Sequence, residues 1–158
     1  MVQVLFVCLG NICRSPMAEA VFRHKVKKAN LGDKIKVDSA GTASWHEGKV
    51  PHEGTRQKLD EVAISYEGMT ARQVKAEDFE RFNYIIAMDE KNMTDLQSVA
   101  EAHDGVEVRK LMDFVENPKE TDVPDPYYTG NFDYTYELVD EATEKLLQYI
   151  SEKHRLKG

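Results

Sequence analysis

The start of the chain constrains the fold most, because a strand pattern passes through a short loop into a helix pattern. Residues 2–7 are apolar and rich in β-branched side chains, which is typical of a strand buried in a parallel sheet. Ser15 and Pro16 fit the N-cap and the first position of a helix, whose apolar residues recur at helical spacing to about Asn30. This order predicts a strand–loop–helix unit.

Strand and helix patterns continue to alternate along the rest of the chain. The predicted strands are residues 34–38, 82–88 and 106–111, and the predicted helices are residues 53–61, a helix capped by Asp89, and residues 132–153. We therefore predict a single α/β domain over residues 1–158, with about four parallel strands and helices on both faces, flavodoxin-like or Rossmann-like. Ligands of such folds bind beyond the carboxyl ends of the strands, where Cys8 lies.

Composition narrows the classes of function. The chain has 158 residues, two cysteines and a formal net charge of −7. Two cysteines cannot form a disulfide framework, and no apolar run reaches the ~18 residues that a membrane-spanning helix needs. The negative charge disfavours nucleic-acid and membrane partners, so a phosphate site has to be built locally. We expect a cytoplasmic protein because the chain has neither a disulfide framework nor a signal-peptide pattern, and non-classical secretion stays open.

The loop after the first strand carries the pattern C-x5-R-S, from Cys8 to Ser15. Spacing alone is weak evidence, because chance places an arginine six residues after a cysteine in about one such chain in ten. The position is more informative, since the free N–H groups and the dipole at a helix start attract anions and stabilise a thiolate. Arg14 can donate two N–H groups to two phosphate oxygens. Cys8 and Arg14 thus fit a nucleophile and a phosphate clamp.

Metal and nucleotide sites do not fit the sequence. The loop lacks the G-K-[ST] of nucleotide-binding P-loops and the G-x-G-x-x-G of dinucleotide-binding folds. Two cysteines without clustered histidines cannot complete a tetrahedral zinc site. We expect neither a metal nor a cofactor.

Asp125 is the candidate proton donor that cleavage of a phosphate ester requires. Two prolines stiffen the chain around it, and Tyr127 and Tyr128 follow as an aromatic shield. An Asp-Pro pair is also common in plain turns, and this second interpretation stays open.

Six motifs occur in one order along almost the whole chain. They are V-L-F-V-C-L-G-N-I-C-R-S-P-M-A-E-A-V-F at 4–22, D-S-A-G-T at 38–42, P-H-E-G-T at 51–55, A-M-D-E at 87–90, D-P-Y-Y at 125–128 and Y-Y-T-G-N-F at 127–132. Together they resemble the low-molecular-weight protein tyrosine phosphatases, and P-H-E-G-T and Y-Y-T-G-N-F resemble the bacterial branch.

The resemblance implies a role for each catalytic residue. Cys8 would attack phosphorus and form a phosphocysteine intermediate, and Arg14 would bind phosphate and stabilise the transition state. Asp125 would protonate the leaving phenol and then act as the base for the hydrolytic water.

The resemblance also implies supporting roles. Ser15 would hydrogen-bond the Cys8 sulfur, Asn11 and Ser39 would hold the loop in shape, and Asp89 would add structural support. Cys13 would form a reversible disulfide with Cys8, which protects Cys8 from overoxidation. The residues expected to line the substrate site are Leu9, Gly10, Asn11, Ile12, Cys13, Ser15, Trp45, Tyr127 and Tyr128.

The chain departs from the animal members of the family around the catalytic set. Met69 replaces a histidine that supports the loop, His52 replaces an acidic residue, and Asp89 lacks its usual histidine partner. The second layer of hydrogen bonds is therefore left open. His46 and Arg72 are expected to be solvated surface residues.

Four functions compete. The first is hydrolysis of phosphotyrosine in a protein or peptide by a monomer or weak dimer, with phosphate or vanadate as competitive ligands. The second is hydrolysis of phosphoarginine, which bacterial relatives with threonine in place of Ile12 perform. The third is arsenate reduction coupled to thioredoxin. It needs a cysteine downstream of Cys13, and because none is present we set it aside. A non-enzymatic phosphate-binding module is the fourth possibility, and regulatory phosphorylation of Tyr127 or Tyr128 is left open.

Overall fold

The computed structural model describes residues 1–100 and 103–158. Strands and helices alternate along these residues. In chain order they are β1 (Val2–Cys8), α1 (Arg14–Lys28), β2 (Ile35–Gly41), α2 (Glu53–Glu61), α3 (Asp78–Arg81), β3 (Tyr84–Ala87), α4 (Glu90–Ala100), β4 (Glu107–Lys110), a 3-10 turn (Leu111–Phe114), α5 (Pro126–Thr129) and α6 (Phe132–Lys153).

The four strands form one parallel sheet in the order β2-β1-β3-β4. The chain leaves β1 toward β2 on one side and returns to β3 on the other. The strand order therefore reverses at the carboxyl end of β1, which is where open α/β sheets bind ligands. Cys8 is the last residue of β1 and pairs with Gly41. The predicted α/β fold is confirmed.

Helices cover both faces of the sheet because the β1 side chains alternate between two cores. Val4 and Phe6 pack in the larger core, which includes residues of α1 and α6. Leu5 and Val7 face the smaller core, which includes Leu96 of α4. Such double coverage explains why residues 2–7 form a continuous apolar run.

Helix α1 begins at Arg14, so the predicted N-cap at Ser15 is wrong. Cys13 occupies the cap position without a side-chain hydrogen bond, and Pro16 is the third helical residue. A proline fits there because the first N–H groups of a helix have no intrahelical partner. The Ser15 hydroxyl is instead used inside the site described below.

Other boundaries shift where pairing or packing outweighs the local pattern. Strand β2 extends to Gly41, beyond the predicted end at Asp38, because β1 pairs with it along its full length. A Cβ atom on Gly41 would lie 2.8 Å from the Leu9 carbonyl oxygen, so this strand end accepts only glycine without displacing the loop. The short helices α3 and α5 have too few residues to show a helical period.

Helix α6 matches its predicted bounds, and its apolar stripe, including Val139, Leu146 and Ile150, is buried. In residues 1–100 and 103–158, no helix combines the length and apolar character needed to cross a lipid bilayer.

Candidate active site

Residues 9–13 connect Cys8 to α1 and form a loop, and donors outside this loop bind the carbonyl groups of Cys8, Leu9 and Ile12. The Cys8 and Leu9 carbonyls accept from the N–H groups of Thr42 and Ala43, each at 2.9 Å, and the Ile12 carbonyl accepts from His52 at 2.7 Å. Within the described part of the chain, no N–H group of residues 9–13 has an acceptor. The loop therefore presents a set of free amide donors, which is the arrangement that binds an oxyanion.

Asn11 holds this loop from inside. Its φ of 57° lies in the left-handed region, which asparagine tolerates better than most residues. The side-chain amide donates to Ser15 Oγ at 2.8 Å and to Ser39 Oγ at 2.9 Å. Ser15 Oγ lies 3.0 Å from Cys8 Sγ. Asn11 donates to the Ser15 oxygen, so the Ser15 hydroxyl can in turn donate to the Cys8 sulfur at 3.0 Å or, at the longer distance of 3.5 Å, to the Ala40 carbonyl.

A second layer of hydrogen bonds, left open by the sequence, holds Asn11 and Ser39. Ser39 Oγ donates to the buried Glu19 carboxylate at 2.6 Å, and Glu19 also pairs with Arg23. Burial raises the pKa of Glu19, and the bonds from Ser39 and Arg23 partly oppose that rise. Sequence reasoning missed Glu19, although its position in α1, four residues after Ser15, was a usable signal.

Arg72 was expected to be a solvated charge, and this prediction is wrong. Its backbone N–H donates to Asn11 Oδ1 at 3.0 Å, and its guanidinium pairs with Asp38 at 3.1 Å and Asp78 at 3.0 Å. Met69, at the position of the family's histidine, is buried in the larger core. The peptide of Arg72 thus binds Asn11, and its ion pairs fix that peptide in place.

The Arg14 side chain is only 3% exposed, and three groups contact its guanidinium. One terminal nitrogen, Nη1, donates to Asp89 Oδ2 at 2.7 Å and to the Val123 carbonyl at 2.9 Å. Nη2 lies 3.4 Å from Asp125 Oδ2, and Nε is buried without a partner among the described residues. The Nε–Nη2 edge is therefore the part of the guanidinium left to receive an anion.

Asp89 serves two elements. It pairs with Arg14, so the family's missing histidine does not leave this carboxylate alone. Its other oxygen accepts from the Asn92 N–H at 2.8 Å, which confirms that it caps α4.

Asp125 is both a helix cap and a group of the site. Its Oδ1 accepts from the Tyr127 N–H at 3.1 Å at the start of α5, and its Oδ2 faces Arg14. The turn interpretation of the Asp-Pro pair is therefore confirmed, because one oxygen builds the turn. The other oxygen faces Arg14, and its role as proton donor stays a prediction.

A cavity of about 150 Å³ lies above the loop. Three aromatic side chains at its mouth are largely exposed: Trp45 at 67%, Tyr127 at 51% and Tyr128 at 73%. Asn11 and Ser15, which were expected to line the substrate site, do not line this cavity, and neither do Arg14, Ser39 and Asp89. The residues that line the cavity are Cys8, Leu9, Gly10, Ile12, Cys13, Trp45, His46, Asp125, Tyr127 and Tyr128.

His46, expected on the surface, is half-buried in the cavity wall. A Cβ atom on Gly10 would lie 2.9 Å from His46 Cδ2, so the histidine ring uses the space that glycine leaves. A larger groove of about 720 Å³ lies beside α1 and α6, and among the residues whose side chains the structure describes no cysteine or serine lines it. The smaller cavity is therefore the candidate active site, on chemistry rather than on size.

The two cysteines are both free and buried, yet their environments differ. Burial, with the negative charges of Asp125 and Cys8, raises the pKa of Cys13 to about 12. At pH 7 we expect iodoacetate to alkylate Cys8 and leave Cys13 as an unreactive thiol. Fragmentation mass spectrometry of the folded protein locates the label, and urea should expose Cys13 as a control. Equal labelling of both cysteines in the folded protein would contradict this assignment.

Known proteins similar to this chain point to one family. The family model for low molecular weight phosphotyrosine protein phosphatase matches residues 3–156. The low molecular weight protein-tyrosine-phosphatase YfkJ of Bacillus subtilis is 51% identical over 156 residues, which cover 99% of this chain and 100% of that protein. PtpA of Staphylococcus aureus, a phosphatase of the same description, is 46% identical over 157 residues, covering 99% of both chains.

Solved structures agree with the sequence matches. The crystal structure of YfkJ has a TM-score of 0.94 and covers 97% of this chain and 96% of its own. The structure of DARP, a Drosophila arginine phosphatase, is 35% identical with a TM-score of 0.88, and covers 94% of this chain and 98% of its own.

The matches span the sheet, the loop after β1 and the C-terminal helix together. They confirm the family and the enzyme class that the motifs predict. The chain belongs to the low-molecular-weight phosphotyrosine protein phosphatase family.

Proposed function

We propose that this enzyme hydrolyses phosphotyrosine in proteins or peptides through a phosphocysteine intermediate. The observation that carries the proposal is the position of Cys8 Sγ in the wall of an aromatic-mouthed cavity, beside a loop of free amide donors. A nucleophile, an anion cradle and a proton donor are the parts that cleavage of the ester requires, and the aromatic slot suits the phenyl ring of the substrate. The two free thiols fit a reducing compartment such as the cytoplasm.

The cradle would bind the phosphoryl group before any bond changes. Free N–H groups of residues 9–13 and the Nε–Nη2 edge of Arg14 would donate to its oxygens. The dianion then replaces the Asp125 carboxylate as the partner of Arg14, which leaves Asp125 free to carry a proton. Inorganic phosphate and vanadate should therefore compete with substrate.

In the first step the Cys8 thiolate attacks phosphorus in line with the leaving oxygen. The S–P bond forms, the P–O bond to the phenol breaks, and Asp125 gives its proton to the phenol oxygen. The amide donors and Arg14 stabilise the charge on the phosphoryl oxygens in the transition state.

In the second step water attacks the phosphocysteine. Asp125, now ionised, takes a proton from the water, the S–P bond breaks, and phosphate leaves. The Ser15 hydroxyl, 3.0 Å from Cys8 Sγ, stabilises the returning thiolate. The cycle consumes one water molecule and restores both residues.

Phosphoarginine is the alternative substrate, because a structurally similar protein is an arginine phosphatase. Ile12 in the cavity wall favours a flat apolar ring, and it offers no hydroxyl to the hydrogen-bonding side chain of arginine. Phosphotyrosine is therefore the preferred substrate in this proposal.

The substrate class can be tested with a panel of matched peptides in EDTA. We expect turnover of the phosphotyrosine peptide and, for the phosphoarginine peptide, kcat/KM lower by on the order of 10²-fold. An Ile12→Thr variant should reduce the difference in kcat/KM between the phosphotyrosine and phosphoarginine peptides. Comparable turnover of the two peptides by the native chain would overturn the assignment, and inactivity in EDTA would exclude the metal-free mechanism.

Replacement of Asp125 by alanine should affect substrates according to their leaving groups. We expect kcat/KM to fall by on the order of 10²–10³-fold for phenols that leave slowly, because they need the proton, and much less for activated phenols. The measurement is a series of aryl phosphates of increasing phenol acidity. Equal losses along the series would show that Asp125 is not the general acid.

A further inference from the structure

His52 contacts three parts of the site: the loop of residues 9–13, helix α2 and the Tyr127 side chain. Its backbone N–H and its ring each form a hydrogen bond to a backbone group of the protein. Its backbone N–H donates to the Ile12 carbonyl at 2.7 Å, so it holds the loop directly. Its ring nitrogen Nδ1 accepts from the Gly54 N–H at 3.0 Å and caps α2.

The His52 ring packs against two aromatic residues. It stacks on Phe132 with a centroid distance of 5.3 Å and an interplanar angle of 16°. Tyr127 meets it edge-on at 5.9 Å and 76°. A Cβ atom on Gly54 would lie 2.3 Å from the Phe132 ring, so glycine at this position makes room for the stack.

Tyr127 depends on such packing for its position. Its side chain is 51% exposed, and its hydroxyl makes no hydrogen bond to the described residues. Its aromatic neighbours are His46 at 6.3 Å, His52 at 5.9 Å and Tyr128 at 5.3 Å, and Tyr128 is itself mostly exposed. Of these neighbours, only His52 is anchored by both a helix cap and a ring stack.

We propose that His52 is a positioning residue. It fixes the Tyr127 side chain at the mouth of the cavity and thereby sets the affinity of the site for the aromatic ring of its substrate. The inference rests on the proposed function, since it assumes that an aryl phosphate enters the cavity. His52 is not among the described residues that line the cavity, so we expect its side chain not to contact the phosphoryl group. Its effect should therefore appear with aryl phosphates and be absent with inorganic phosphate, which occupies only the cradle.

Two substitutions separate the ring of His52 from its capping role. Asparagine at this position can still accept from the Gly54 N–H but has no ring, whereas phenylalanine keeps the ring and loses the cap. We expect His52→Asn to raise KM for a phosphotyrosine peptide about 3- to 10-fold, with kcat within about twofold and the inhibition constant of inorganic phosphate unchanged. His52→Phe should keep the native KM and lower Tm by about 2–4 °C.

The route through Tyr127 is tested by a double-mutant cycle. In a Tyr127→Ala background, His52→Asn should have no further effect on KM, because the aromatic ring that His52 positions is absent. His24→Asn, the same exchange in the groove beside α1 and α6, is the matched control and should change none of these constants.

Three results would overturn the inference. The first is a native KM in His52→Asn, the second is an equal loss of affinity in His52→Phe, and the third is an additive effect in the Tyr127→Ala background. Failure of the proposed function would look different, because the native chain itself would then not turn over the phosphotyrosine peptide.

Discussion

Replacement of Cys8 by serine should abolish phosphotyrosine hydrolysis, with a loss in kcat on the order of 10⁴-fold or more. A serine hydroxyl is far less ionised than a thiol at neutral pH and is a poorer leaving group from phosphorus in the second step. The cradle does not depend on the sulfur, because it consists of amide groups of residues 9–13 and Arg14. Inorganic phosphate should therefore still bind.

The measurement pairs steady-state turnover with calorimetric titration of phosphate into native and Cys8→Ser protein. An unchanged Tm is the control for folding, since the two side chains are close in size. Substantial turnover by Cys8→Ser would mean that another group attacks phosphorus. Loss of phosphate binding as well would mean that Cys8 shapes the cradle, and the substitution would then say nothing about nucleophilic attack.

Replacement of Arg14 by lysine should lower kcat/KM by on the order of 10³-fold although the positive charge remains. The guanidinium binds Asp89 and the Val123 carbonyl with one nitrogen and keeps an Nε–Nη2 edge for the anion. A single ammonium group cannot do both, because it has no planar pair of donors. Asp89 would also lose its strongest partner, so we expect Tm to fall.

Asp89→Asn is the companion variant for this experiment. The amide oxygen of asparagine can still accept from Arg14 and hold its orientation, although the second oxygen, which caps α4, is lost. We therefore expect a lower Tm but a loss of only about tenfold in kcat/KM. If Arg14→Lys lost no more than Asp89→Asn, charge alone would explain the role of Arg14, and the two-donor geometry would be wrong.

The parts of the site that lie close together in the sequence were predictable. Cys8, Ser15 and Arg14 fall within one strand–loop–helix unit, whose local pattern fixes where the loop lies. Asp125 follows from its two prolines and the tyrosines after it. In each case the signal is local, because backbone stiffness and helix geometry act over a few residues.

The predictions that were wrong concern residues whose positions depend on contacts between distant segments of the chain. Arg72 reads as a surface charge until the fold brings it to Asp38, 34 residues away in the chain. Ser15 reads as a helix cap because its preference for that position is real, but hydrogen bonds to Asn11 and Cys8 use its hydroxyl instead. His46 gave no signal, since only the missing Cβ of Gly10 creates the space for its ring.

The most direct test of the central claim is to trap the enzyme between the two steps. The Asp125→Ala variant should transfer the phosphoryl group from an activated aryl phosphate rapidly, since such a phenol needs no proton, and should hydrolyse the intermediate slowly, since water has lost its base. Rapid quenching followed by mass spectrometry should find one phosphoryl group on Cys8. Turnover of the same substrate with no phosphoryl group on Cys8 at any quench time would contradict the account.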